Sequence, residues 1–251
     1  MTAADLRRPG MIALVSLAIV IAFYILREHW SHALGVLRIL SERLPALSLD
    51  RVVDAALTAP AWPPAASGAS AGADGSAPPI RASLLAFFAD RLAASLADRG
   101  YSAAEIAAVL ADDKFWQLGE VEPRLLALRQ FAALPEAEAL AAANKRVGNI
   151  LKKSSEPIGS TVDPVLLREP AEAALDAALG TVAPLAEAAL ASRDYAGSLR
   201  ALAALRTPVD AFFDSVMVNA DDPALRANRL ALLGRLHAAM NRVADLSRLA
   251  G

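Results

Sequence analysis

The 251-residue chain contains no cysteine. Disulfides, thiolate nucleophiles and cysteine-ligated zinc are therefore excluded, and a reducing cytosol is compatible with the composition. Aromatic residues make up only 5%, which offers little for stacking nucleobases. An excess of positive charge is missing as well. Lys and Arg total 25 against 27 Asp and Glu, for a formal net charge of −2 and a pI near 6.0. A protein that coats nucleic acid over its whole surface would be basic, so any such contact here has to be a local patch. Glycine-rich phosphate loops and the dinucleotide fingerprint are absent. β-Branched residues are thinly spread and no stretch alternates apolar with polar, which argues against sheet.

Alanine and leucine supply most of the 55% apolar content, and both are strong helix formers. The expectation is an all-α helical bundle, long enough to bury one sizeable core or two small ones. It has an N-terminal hydrophobic helix and a disordered Pro/Ala/Gly/Ser linker. The chain divides at this level into 1–32, an anomalous hydrophobic leader; 33–59, a helical segment; 60–80, a flexible linker; and 81–251, a long helical region. The linker holds nothing to bury that would offset its ordering entropy.

Met11 to Leu26 is an uninterrupted apolar run. Its helical length of roughly 24 Å falls short of the roughly 30 Å hydrocarbon core, though a tilted span or a signal-peptide core tolerates that. Arg7 and Arg8 precede the run, which would leave the N-terminus in the cytoplasm. A buried core helix is the other reading of the same residues.

Further along, Gly100 reads as a helix end, and Ser102 with Glu105 as a capping box. Helices are expected over 122–134 and 136–153. Asp163-Pro164, Glu169-Pro170 and Thr207-Pro208 read as helix starts. Further helices are expected over 183–191, 195–205 and 208–218, and a last one from Pro223 to about Leu249, with Leu225, Leu232, Leu236, Met240, Val243 and Leu246 as its apolar stripe.

No catalytic constellation emerges. His29 and His32 have helical spacing but no clear third ligand, so no metal site is assigned. His237, between Leu236 and Met240, suits a hydrogen-bonded structural role. The pairs Asp112-Asp113 and Asp221-Asp222 sit at helix ends, where capping explains them. Phe87, Phe88, Phe212 and Phe213 are flanked by apolar residues and read as core.

Two stretches carry positive signals. Asn144-Lys145-Arg146-Val147-Gly148-Asn149-Ile150-Leu151-Lys152-Lys153 has four cations and no acid. On a helix Lys145, Asn149 and Lys152 share one face and Arg146 and Lys153 the neighbouring strip. The cations suit the negative end of a helix dipole, and equally a polyanion, whose phosphates they would position without reading sequence. The second is Phe212-Phe213-Asp214-Ser215-Val216-Met217-Val218-Asn219-Ala220-Asp221-Asp222-Pro223, running into Ala224-Leu225-Arg226-Ala227-Asn228-Arg229-Leu230. Asp222 is an N-cap and Pro223 the first helical residue. Arg226 and Arg229, three apart, could grip a phosphate or splayed bases, or could pair with Asp214, Asp221 or Asp222 to lock the corner. Arg235, Arg242 and Arg248 follow them, with Asp245 as the only acid in that segment.

Both stretches, and Ala33 to Leu40 more loosely, resemble phrases of the beta subunit of bacterial heterotetrameric glycyl-tRNA synthetase, the second including its DALR-type anticodon-binding region. The resemblance covers roughly Ala33 to Leu249. It implies the tRNA-binding portion of a glycine–tRNA ligase, cytoplasmic and working in protein biosynthesis with glycine tRNA and an alpha subunit as partners. ATP and magnesium would be used by the complete enzyme, with no cofactor and no catalytic residue in this chain. It implies tRNA contact at Lys145, Arg146, Asn149, Lys152, Lys153, Arg226 and Arg229. The family's segment before Ala33 is not matched by residues 1–32, which a truncated or frame-shifted start would explain. The alternative is a single-pass membrane protein with a cytosolic helical interaction domain, anchored in the membrane through residues 11–26.

Overall fold

Local capping chemistry sets many of the helix limits. The computed structural model describes residues 30–44, 47–58, 80–111, 117–154 and 158–250. Over these the regular structure is helical: α1 Trp30–Glu42, α2 Leu49–Thr58, α3 Ile80–Asp98, α4 Ala103–Val109, α5 Leu118–Ala132, α6 Ala137–Lys153, α7 Pro170–Ala191, α8 Tyr195–Leu202, α9 Arg206–Ser215 and α10 Pro223–Met240. Short 3-10 turns lie at Pro164–Leu166, Ala203–Leu205 and Leu246–Leu249. The leader run 11–26, the linker at 59–79, and Asp112, Asp113 and His29 fall outside the described residues.

The capping box is formed: Glu105 N donates to Ser102 Oγ at 3.2 Å and Ser102 N to Glu105 Oε2 at 2.7 Å. Gly100, at φ +83°, closes α3 in the left-handed conformation that a side chain would strain. Asp222 caps α10 through Ala224 N at 2.8 Å, with Pro223 as its first residue. Asp163 caps only a 3-10 turn.

Packing divides the chain into two units. One takes in the described residues up to Tyr101 together with 117–122; the other takes in Ser102–Ala111 and the described residues from Pro123. In the first, Leu37, Leu40, Leu49, Val52 and Val53 from α1 and α2 bury Leu84, Leu85 and Phe88 of α3. This corrects the sequence-based grouping of 81–251. The apolar stripe of α3 is matched by α1 and α2, so α3 belongs with the helices upstream of the linker.

In the second unit α7 packs along α8 and against α9 and α10, while α6 packs on α10 and on the turn Leu246–Leu249. Four boundaries differ from expectation. Helix α5 begins at Leu118 and carries Pro123 inside it. Helix α7 runs unbroken through Pro184. Pro184 cannot donate to the carbonyl of Gly180, so one helical hydrogen bond is missing there while the helix continues on both sides. Thr207 is not a cap: α9 starts at Arg206, straight out of a 3-10 turn. The last helix stops at Met240 because Asn241 intervenes. Its Nδ2 donates to the His237 carbonyl at 2.7 Å and its Oδ1 accepts from Leu246 N at 3.2 Å. Helix α7 is long and apolar enough by length and composition to cross a membrane. Its Leu175, Leu179, Val182 and Ala186 are nevertheless buried within the second unit.

Glu105 also makes an ion pair with Arg129 of α5, Nε to Oε1 at 2.6 Å. That bond holds the Glu105 carboxyl below the ordinary glutamate value; burial opposes it and the Ser102 backbone N–H adds to it. A depressed carboxyl stabilises the fold above the ordinary pKa of about 4.3, and the stability is lost as pH falls through the lower folded-state value. Glu105→Gln keeps the capping geometry and removes the charge. Its melting temperature should fall less steeply below about pH 4.3 than that of the parent chain, as measured by circular dichroism; parallel curves would contradict the assignment.

Candidate nucleic-acid interface

The core claims one side of α6 and leaves its cations on the other. Leu140, Ala141, Asn144 and Val147 are buried, and Lys145, Arg146, Asn149, Lys152 and Lys153 are exposed. Lys145, Arg146, Asn149 and Lys153 line a shallow depression of about 390 Å³ with Ile150 and Ala250. Lys152, expected on the same face, is exposed but is not part of its lining. Lys145 Nζ donates to the Ala250 carbonyl at 3.3 Å. The Arg146 guanidinium lies over the Phe213 ring, 4.1 Å from its centroid. Among the described residues no carboxylate lies within 4.0 Å of any of these four cations. Phe213 is accordingly half-buried and a platform for Arg146, whereas Phe212 beside it is core as expected.

The arginines of α10 and the turn after it have a different fate. Arg229 is only 6% exposed. Its Nε donates to Glu172 Oε1 at 2.6 Å and its Nη1 to the Met217 carbonyl at 2.7 Å. This corrects the expectation that Arg229 joins Arg226 in gripping RNA: its guanidinium is inside the protein, tying α10 to α7 and to the corner after α9. Arg226 is half-buried and donates to the Ala220 carbonyl at 2.7 Å. The corner is thus locked through backbone carbonyls and Glu172. Asn228, between the two arginines in sequence, is buried. It exchanges hydrogen bonds with the backbone of Asp163, accepting at 2.7 Å and donating at 3.1 Å. Arg235 pairs with Asp176 and Arg242 with Glu187, both acids on α7, and Arg248 with Asp245. Arg229, Arg235, Arg242 and Arg248 are thus paired with acids within the fold, and the four α6 cations have no such partner among the described residues.

Two residues that support the site were not singled out from sequence. Glu172 is fully buried; one carboxylate oxygen holds Arg229 and the other accepts the Glu169 N–H at 2.7 Å. Its position three residues after the cap was a visible sign of the second role only. Asn144 is also fully buried and pairs amide to amide with Asn241 at 2.8 and 3.1 Å. It sits four residues after Leu140 and three before Val147, on the apolar stripe, so its burial could have been read. Gly148 faces His237: a Cβ there would meet the imidazole Nε2 at 3.4 Å. His237 thus has a structural setting. Among the described residues no group of three or more His, Asp or Glu side chains is placed to hold a metal ion.

A helical unit that presents a basic helix face with no carboxylate partner among the described residues, one of its cations seated on a ring of α9, matches a known class. Residues 140–246 match the DALR anticodon binding domain family. Over 219 residues, 87% of its length, the chain is 55% identical to the glycine--tRNA ligase beta subunit of Leptothrix cholodnii. It is 54% identical over 218 residues to that of Dechloromonas aromatica, and 63% identical over 164 residues to that of Methylobacillus flagellatus. Residues 140–246 thus carry a DALR-type domain, and 87% of the chain is similar to glycine–tRNA ligase beta subunits. The chain spans 29% of the length of the first two of these relatives and 23% of the third. The comparisons do not favour the membrane alternative.

Proposed function

We propose that this chain is the tRNA-engaging, anticodon-end portion of a glycine–tRNA ligase beta subunit, and that it positions RNA rather than catalysing a reaction. Glycine tRNA and the alpha subunit of the ligase are its partners in the cytoplasm. ATP and magnesium belong to the aminoacylation chemistry of the complete enzyme. One observation carries the reading: α6 of the DALR-type domain holds Lys145, Arg146, Lys152 and Lys153 exposed with no carboxylate partner among the described residues. Four such cations repel one another and gain most from a polyanion that replaces the missing acids. Asn149 adds a neutral donor and acceptor on the same face.

The test is a titration of the whole chain with glycine tRNA and with an unrelated tRNA across a range of salt. If all four cations contact single-stranded phosphates, the slope of log K against log salt falls in magnitude by about 3 when they are replaced together by alanine, at roughly 0.7 per phosphate. Preference for glycine tRNA and a loss of that size support the reading. Equal affinity for both RNAs, unchanged in the quadruple variant, would refute it.

A further inference from the structure

Arg146 is held differently from the lysines around it. Phe212 is fully buried, and Phe213 meets it edge to face, with ring centroids 5.5 Å apart at 84°. Phe213 is half-buried and carries the Arg146 guanidinium on its face. The three side chains form a column that rises from the core to the surface and ends in a flat cation. An arginine that only contacts phosphate gains little from being held over a ring. A planar group stacked on the outer face of the guanidinium does gain, because the arginine's rotamer freedom has already been lost. Beside it, three residues on along α6, Asn149 is exposed on the wall of the same depression, with an amide that can donate to and accept from a base edge. Lys145 and Lys153 complete the wall. Lys145 is tethered to the Ala250 carbonyl, which leaves two of its ammonium protons for other acceptors.

We infer that this depression is a subsite for one unpaired nucleotide of RNA. The base stacks on Arg146, its edge meets Asn149, and the flanking phosphates meet Lys145 and Lys153. The inference rests on the RNA-binding reading above and sharpens it: Arg146 becomes a base platform instead of a fourth phosphate contact. A duplex cannot use the subsite, because its bases are stacked on one another and present no free face.

The experiment uses the whole chain with two RNAs of the same stem, one closed by a seven-nucleotide loop and one a blunt duplex, and with 2-aminopurine placed in the loop. Arg146→Lys keeps the charge and removes the plane. Stacking of one base is worth about 1–3 kcal/mol, or roughly 5- to 150-fold in affinity. The expected result is a loss in that range for the looped RNA, an unchanged salt slope, little change for the duplex, and loss of the 2-aminopurine quenching that the parent chain produces. Phe213→Leu, checked for folding by circular dichroism, should lower loop affinity in the same sense. Asn149→Ala should weaken binding of some loop sequences more than others. If Arg146→Lys stays within twofold while Arg146→Ala reduces the salt slope by about one phosphate, Arg146 is a phosphate contact and the inference fails with the RNA reading intact. If neither RNA binds in a way that depends on the α6 cations, both fail. Equal binding of loop and duplex by the parent chain would also overturn the subsite.

Discussion

Replacing Glu172 by alanine lowers the stability of the second unit by about 3–5 kcal/mol, and replacing Arg229 by alanine does the same. The two side chains are 0% and 7% exposed and meet at 2.6 Å. Removing one leaves the other charged, out of water and short of a partner, which costs more than the pair contributes. Glu172 carries a second load, because its other oxygen accepts the backbone N–H of Glu169, the residue that caps α7; Glu172→Ala therefore breaks the capping box as well. Glu172→Gln retains an acceptor for the N–H and should lose less. Replacing both partners together with leucine and methionine removes the uncompensated charge and should recover much of the deficit. The measurement is hydrogen exchange of the α10 amides under native conditions, which reads the opening of this unit by itself. A loss below about 1 kcal/mol for either alanine variant would mean that water reaches the pair.

Phe212→Ala should cost about 3–5 kcal/mol in the same assay, and Phe213→Ala well under half of that. The two rings are adjacent in sequence and differ in environment. Phe212 is fully buried in the core that α9 closes, and truncation there removes the burial energy of the ring and leaves a cavity. Phe213 keeps one side in solvent and one under Arg146, so truncation mostly removes a surface contact. Equal losses would show that the column above Phe213 belongs to the core. A large loss of RNA affinity in Phe213→Ala with little loss of stability would match the nucleotide subsite.

The residues around these positions show how far a sequence can be read. The Ser102–Glu105 box, the left-handed Gly100 and the Asp222-Pro223 start are contacts within three or four residues. Capping chemistry specifies them locally, and the structure has each as expected. The all-α class follows from composition in the same way. Thr207 looked like an equally good cap and is not one, because the preceding 3-10 turn feeds straight into α9. The helix start expected at 183 is not one either, because α7 runs unbroken from Pro170 to Ala191.

Among the candidate RNA contacts, Lys145, Arg146, Asn149, Lys152 and Lys153 are exposed, as a helical wheel with its apolar side turned inward requires. Arg226 and Arg229 could not be placed by such reasoning. Glu172 is 57 residues from Arg229 in the chain, and Asn241 is 97 from Asn144; no periodicity links residues so far apart.

From its sequence alone the chain is helical, acidic overall, and basic in two short stretches whose phrases resemble one family. Which of the two stretches keeps its charge for a partner was decided by tertiary structure. Helix α7 brings Glu172, Asp176 and Glu187 against Arg229, Arg235 and Arg242, while among the described residues no carboxylate comes within 4.0 Å of the α6 cations. Charge along a chain is a sum over residues; charge available to a ligand is what remains after distant segments have paired, and only the packed fold performs that pairing.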